Sequence, residues 1–313
     1  MLTSPPPLPI LCCGPTPALQ RALRFSDWES DSDVVRTSEV ELSVGGKATN
    51  AARAISCAGG EATLLSFAGG AVGNRIKSLL TDEGLNGVWV DTRAETRTCQ
   101  TLLNEDGSRI RELVENALPV TLHEWGEYFA KVEQAIPFHA GLLLCGSLPE
   151  GSPPDVYGTL TEIAHLAGKP VGVDAKGAEL LATLHREPEF VKINREELRT
   201  STGKDEIQEG MKALSSQGVQ HVMITDGPHP ACLQSGRKRW EFILPEIHAV
   251  NPIGGGDTVT GVTFQKLIQH AKPKDAASAG LAAGLAQTLT AHPAIFDASD
   301  ASRLETSILC RKG

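Results

Sequence analysis

Two hydrophobic periods alternate along this chain. Short apolar runs read as strands over 9–13, 62–68, 88–90, 140–145, 171–174, 191–193 and 221–225. Stretches with apolar residues three and four apart read as helices. Ala48, Ala51, Ala52 and Ile55 form one such face after Gly45-Gly46, and Gly59-Gly60 stops it. Further helices are expected over 72–83, 124–136, 154–165 and 207–214, from 195, and over 257–270 and 273–288. Repeated strand–helix units predict a largely parallel sheet with helices on both faces. Ligands in such sheets sit at the carboxyl ends of the strands.

Some segments break this rhythm. Residues 20–25 and 34–44 look like strands, with Val34, Val40, Leu42 and Val44 partly alternating and an acidic turn, 27–33, between them. Residues 96–103 and 109–114 flank Asn104-Glu105-Asp106-Gly107-Ser108, a hairpin signal. Residues 231–233 and 239–243 look like a strand pair. The 20–44 and 96–114 segments are expected to form a small separate sheet, a lid on one α/β domain spanning 1–313. The charged tail after Ser299 reads as peripheral.

The 313 residues carry 29 Lys and Arg against 38 Asp and Glu, a net charge of −9, which gives no support for nucleic-acid binding. Seven cysteines without a CxxC pair argue against a disulfide scaffold or structural zinc, and fit small apolar residues in a reducing compartment. Residues 1–9 lack the basic-then-apolar pattern of a signal peptide, and no apolar run is long enough to cross a membrane. A cytoplasmic protein without a membrane partner is the expectation.

The densest chemistry lies at Asn251-Pro252-Ile253-Gly254-Gly255-Gly256-Asp257-Thr258, where three glycines run into a helix. Free N–H groups and the positive end of the helix dipole can hold a developing anion. An aspartate there can take a proton from a hydroxyl. A plain alternative is a tight turn with Asp257 as helix cap. Neither GxxxxGK[ST] nor GxGxxG occurs, and Gly69, Gly70 and Gly73 give only a weak dinucleotide signal.

The chain resembles the ribokinase-like (PfkB) carbohydrate kinases, most of all their 1-phosphofructokinase and tagatose-6-phosphate kinase branch. One family signature is Gly45-Gly46-Lys47-Ala48-Thr49-Asn50-Ala51-Ala52-Arg53-Ala54 and the other is 251–257. Between them lie Thr96-Arg97-Thr98, Gly146-Ser147-Leu148-Pro149, Asp174-Ala175-Lys176-Gly177, 192–198 and Thr225-Asp226-Gly227, in family order over about residues 10–290. The resemblance implies a three-layer α/β/α domain with a small β-sheet lid, ATP as donor and Mg2+ as cofactor. It implies Asp257 as catalytic base and Gly254, Gly255 and Gly256 as anion hole. Gln20, Arg36, Gly45, Gly46, Lys47, Asn50 and Arg97 would meet the sugar. Lys192, Asn194, Thr225 and Gly227 would meet the nucleotide, and Asn194 with Glu197 would organise the metal through water.

The leading acceptor on this reading is a ketohexose monophosphate, first of all fructose 1-phosphate, converted to the 1,6-bisphosphate. Arg36, Arg97 and Lys47 would grip its phosphate. Tagatose 6-phosphate, an unphosphorylated sugar or a nucleoside are alternative acceptors, and a non-catalytic sugar-phosphate sensor is a reading of another class. The departures bear on these. Gln20 replaces the family's sugar-binding aspartate, Ala48 a glycine, and Pro228-His229-Pro230 follows the Thr-Asp-Gly loop. His139 reads as structural, His229 as a weak nucleotide-loop candidate, and His292 has no evident partner. The lid is expected to pair two copies into a homodimer.

Overall fold

The computed structural model describes residues 8–29, 33–105 and 109–313. The hairpin turn at 106–108, part of the acidic turn and the first seven residues lie outside them.

The main sheet has ten strands. Seven run parallel: β1 (Ile10–Cys13), β4 (Ala62–Gly69), β5 (Asn86–Thr92), β8 (Gly141–Cys145), β9 (Val171–Asp174), β10 (Phe190–Asn194) and β11 (His221–Asp226). Antiparallel β12 (His229–Ser235), β13 (Lys238–Ile243) and β14 (Leu309–Lys312) extend it, in the order β14-β13-β12-β11-β10-β9-β8-β1-β4-β5. Strand pleating sends alternate side chains to opposite faces. Ile10 and Cys12 therefore pack with α1 (Lys47–Cys57), α2 (Gly70–Asp82), α8 (Gly255–Ile268), α9 (Pro273–Thr288) and α10 (Ala298–Glu305). Leu11 and Cys13 pack with α3 (Leu122–Ala135), α4 (Val156–Leu166), α5 (Gly177–Leu184), α6 (Arg195–Thr202) and α7 (Ile207–Ser215). This is the expected three-layer α/β/α fold.

The small sheet holds β2 (Ala18–Phe25), β3 (Glu39–Gly45), β6 (Thr98–Asn104) and β7 (Ile110–Val114) in the order β3-β2-β6-β7. It is mixed: β2 is antiparallel to β3 and parallel to β6. Its register aligns Ser43, Gln20, Cys99 and Val114 on one face and Leu42, Arg21, Gln100 and Leu113 on the other.

Three expectations change. The strand expected over 34–44 begins at Glu39, so Arg36 lies in irregular chain before it. Residues 177–184 form α5, which the Ala-Lys-Gly loop pattern concealed. The tail is not peripheral: α10 packs on α9, Leu304 and Ile308 are buried, and β14 pairs with β13. Leu304 alone anchors that mostly exposed helix, Ile308 follows it, and edge pairing needs only backbone groups. Among the described residues no helix is long and apolar enough to cross a membrane.

Candidate active site

A cleft of about 720 Å³ opens between the small sheet and the carboxyl ends of β1, β8 and β9. The lid contributes Gln20, Ser43, Gly45, Arg97, Cys99 and Glu112, while the body contributes Lys47, Asn50, Gly146, Lys176, Gly254 and Asp257. Strand alternation explains the lid's share, because the Gln20–Cys99 face is the one turned inward.

The floor is the start of α8. Gly254 caps that helix with φ +86, a left-handed conformation that strains other L residues. A side chain on it would also press on Pro293 and Ala294. Asn251 braces the loop, its Oδ1 accepting from Ile253 N at 3.0 Å and its Nδ2 donating to Ala291 O at 2.7 Å. Asp257 lies in the first turn. Burial, and then the nearby Asp174 carboxylate, push its pKa up to about 6, against the opposing pull of Lys47, Asn50 and Lys192. Asn50 Nδ2 donates to Asp257 Oδ2 at 2.8 Å. A half-buried carboxylate with a raised pKa, beside the N–H groups of a helix start, can accept a proton while those groups receive an anion.

Beside Asp257 lies a network of charged residues. Asp174 ends β9 and is wholly buried. Its Oδ1 accepts from Lys47 Nζ at 2.7 Å and its Oδ2 from Lys192 Nζ at 3.3 Å and from Thr260 Oγ1. Burial alone would raise the Asp174 pKa, but Lys192 and Lys47 hold it well below the usual carboxylate range. Lys47 Nζ also donates to Glu197 Oε1 at 3.0 Å. Burial would lower the Lys47 pKa, and Asp174, Asp257 and Glu197 together push it well up. Glu197 is fixed by a reciprocal cap at the start of α6: its N–H donates to Asn194 Oδ1 at 2.8 Å, and its Oε2 accepts from Asn194 N at 2.9 Å.

The expected site residues divide into groups. Gln20, Gly45, Gly46, Lys47, Asn50, Arg97, Glu197, Gly254 and Asp257 all border the cleft. Gly255 and Gly256 continue its floor into α8. Arg97 donates its terminal nitrogens to Thr16 O at 2.9 Å and Glu115 O at 3.1 Å. Gln20 donates to Thr101 Oγ1 at 2.6 Å. Arg36 is exposed and does not border the cleft. Lys192 is buried against Asp174 rather than open to a nucleotide, and a side chain on Gly256 would come within 2.9 Å of its Nζ. Asn194, Thr225 and Gly227 lie at or just past the ends of the neighbouring β10 and β11, beyond the cleft. His139 is buried with Nδ1 on Ala135 O, His229 is exposed, and His292 pairs with Glu41 on β3. Sequence reasoning missed the role of Asp174, although a carboxylate closing the apolar run Val171-Gly172-Val173 was its signal.

Residues 18–299 match the model of the pfkB family carbohydrate kinases. The chain belongs to that family and is an ATP-dependent sugar kinase. Its fold is similar to phosphofructokinase-2 from Escherichia coli, solved in complex with potassium, at 25% identity and TM-score 0.88, covering 96% of this chain and 99% of that one. A second structure of that enzyme, with substrates and products, matches at 25% identity and TM-score 0.86 over 96% and 99% of the two chains. A "possible 1-phosphofructokinase" from Thermotoga maritima shares the fold at 19% identity and TM-score 0.87, over 97% and 99%.

Proposed function

We propose that this kinase phosphorylates a hydroxyl of a ketohexose monophosphate, with fructose 1-phosphate as the first candidate. The observation that carries the reading is Asp257, half-buried at the start of α8, held by Asn50 and facing a cleft bordered by Lys47, Arg97 and Lys176. Asp257 takes the proton from the acceptor hydroxyl as its oxygen attacks the γ-phosphorus of ATP. The bond to the β-phosphate oxygen breaks and ADP leaves with that electron pair. The N–H groups from Gly254 to Asp257 stabilise the charge on the transferred phosphoryl. The lid over the cleft excludes water that would otherwise hydrolyse ATP.

Asn194, Thr225 and Gly227 border the donor's side in this reading. Asp174 and Glu197 fit a magnesium ion. They offer hard carboxylate oxygens, and the Lys47 ammonium bridging them marks a position that favours a cation. No cluster of three His, Cys, Asp or Glu exists among the described residues, so most ligands would come from water and the nucleotide, as is usual for Mg2+. When bound, the ion neutralises phosphate charge.

A second reading, an unphosphorylated acceptor, draws on Arg97. Its terminal nitrogens hold backbone carbonyls, and Arg36 stands away from the cleft. A coupled assay with ATP against fructose, fructose 1-phosphate, fructose 6-phosphate, tagatose 6-phosphate, aldoses and nucleosides separates the two. The reading expects kcat/KM highest on a ketohexose monophosphate. Highest kcat/KM on a free sugar or nucleoside overturns it, and ATP binding without turnover of any acceptor would favour the sensor.

The outer lid face carries exposed Val40, Leu42 and Leu113, which supports a homodimer through the lid. A tetrameric inhibited form is known for the E. coli phosphofructokinase-2. Sedimentation at micromolar concentration tests the dimer, and a monomer alone would exclude it. A cytoplasmic setting fits a kinase using ATP.

A further inference from the structure

Lys47 holds an unusual place in a cleft meant for anions. Its ammonium does not point at open solvent but bridges Asp174 Oδ1 and Glu197 Oε1 at 2.7 and 3.0 Å. The other oxygen of each carboxylate is bound by the protein frame. Asp174 Oδ2 accepts from Lys192 and Thr260, and Glu197 Oε2 accepts from the Asn194 N–H. One oxygen of each is left, and Lys47 occupies both.

The two lysines on Asp174 differ in kind. Lys192 comes from a central strand, its side chain 4% exposed, and cannot leave without stranding a charge. Lys47 comes from the first turn of α1, borders the cleft and has a side chain 31% exposed. A lysine has a flexible stem and a compact charge that water solvates well. Lys47 can therefore leave the carboxylates, whereas Lys192 is their permanent partner.

Building on the kinase reading, we propose that Lys47 is an exchangeable counter-ion. It neutralises Asp174 and Glu197 until the divalent cation arrives with the nucleotide, and is then displaced into the cleft to bind the acceptor's phosphate. The metal and the Lys47 ammonium compete for the same pair of oxygens, and their charges repel across it, so metal binding favours Lys47 release. This resolves the shortage of free cations in the cleft. Arg97 spends part of its donor set on backbone carbonyls, and Lys176 lines the cleft together with Glu112 and Glu179. Metal–nucleotide and phosphorylated acceptor then strengthen each other's binding reciprocally.

Mn2+ serves as the probe, with its free concentration followed by electron paramagnetic resonance in the presence of a non-hydrolysable ATP analogue. Lys47→Met and Lys47→Gln should bind Mn2+ about 5- to 150-fold more tightly than the native chain, the usual range of a coupling between sites. In the unaltered protein, peptide-mapped acetylation of Lys47 should speed up several-fold when Mn2+ is added in the presence of the same ATP analogue, relative to the analogue alone, with Lys192 unreactive throughout. That second measurement stands even if the variants fold poorly. Unchanged or weaker Mn2+ affinity in folded variants, or Lys47 acetylation indifferent to Mn2+, overturns the exchange while leaving the kinase reading intact. A native chain that binds neither Mn2+ nor the nucleotide analogue would bring down both.

Discussion

Asn50 and Asp257 are 207 residues apart in sequence and joined by one hydrogen bond of 2.8 Å. The amide fixes one carboxylate oxygen and leaves the other free to take a proton. Behind Asn50 stands Arg53, also buried. Its Nη1 donates to Asn50 Oδ1 at 3.3 Å and to Val44 O at 2.6 Å, and its Nε and Nη2 grip Glu83 at 2.7 and 2.9 Å. Arg53 thus orients the amide so that Nδ2, not Oδ1, faces Asp257, and ties it to the end of lid strand β3.

Arg53→Lys should therefore lower kcat by about tenfold, the loss of one charge-assisted hydrogen bond of ~1.5 kcal/mol or more. KM for ATP should change little. A merely structural role would lower melting temperature without this split, so steady-state kinetics on the folded variant decide the matter.

The pH dependence follows from Asp257. With its pKa near 6, kcat/KM should fall below pH 6, by roughly tenfold at pH 5, and stay level above pH 7. Stability moves the other way. Because the folded pKa lies above the ordinary 3.8, the contribution of Asp257 is full below pH 4 and is lost as pH rises through 6. Asp257→Asn should then be more stable than the native chain at pH 8, with the gap closing by pH 4. Thermal melts at both values check this.

The alternation of strand and helix was readable because each buried strand is a compact apolar run. Gln20 and Arg97 on the inward lid face were reached only through the resemblance, and Cys99 and Glu112 were not readable there, since these residues share the face only through register between strands distant in sequence. The meeting of Lys47 with Asp174 is likewise tertiary, across 127 residues. The partner of Lys192 was hidden for a related reason: a lysine in an apolar strand reads as an outlier until its carboxylate partner, Asp174, is known. The glycine run was legible because a backbone that must turn sharply into a helix leaves its mark in residue type.

Gly255→Val should reduce turnover by 100-fold or so, as losing an oxyanion donor does. The Cβ at Gly255 would lie 3.3 Å from Gln287 Oε1 and 3.5 Å from Thr288 Cγ2, so the extra methyls must push the loop away. Full activity in a folded variant would show that the loop does not cradle the phosphoryl group.

Arg97→Ala should raise KM for a phosphorylated acceptor by about tenfold and scarcely alter a slow reaction with the free sugar, as the loss of a charged contact predicts. Arg97 also braces Thr16 and Glu115, so Arg97→Gln, which keeps a donor for those carbonyls, is the companion variant. Equal losses on both acceptors would assign Arg97 to bracing the loop alone.

The most direct measurement is single-turnover phosphoryl transfer by Asp257→Asn, with nucleotide binding measured on the same sample. The substitution keeps size and the contact with Asn50 but removes the base. Transfer should fall about 10²- to 10⁴-fold while ATP affinity stays within a few-fold of native. A variant retaining more than about a tenth of native transfer would contradict Asp257 as the base, since base loss costs more than that, and would leave it as an acidic residue in the first turn of α8.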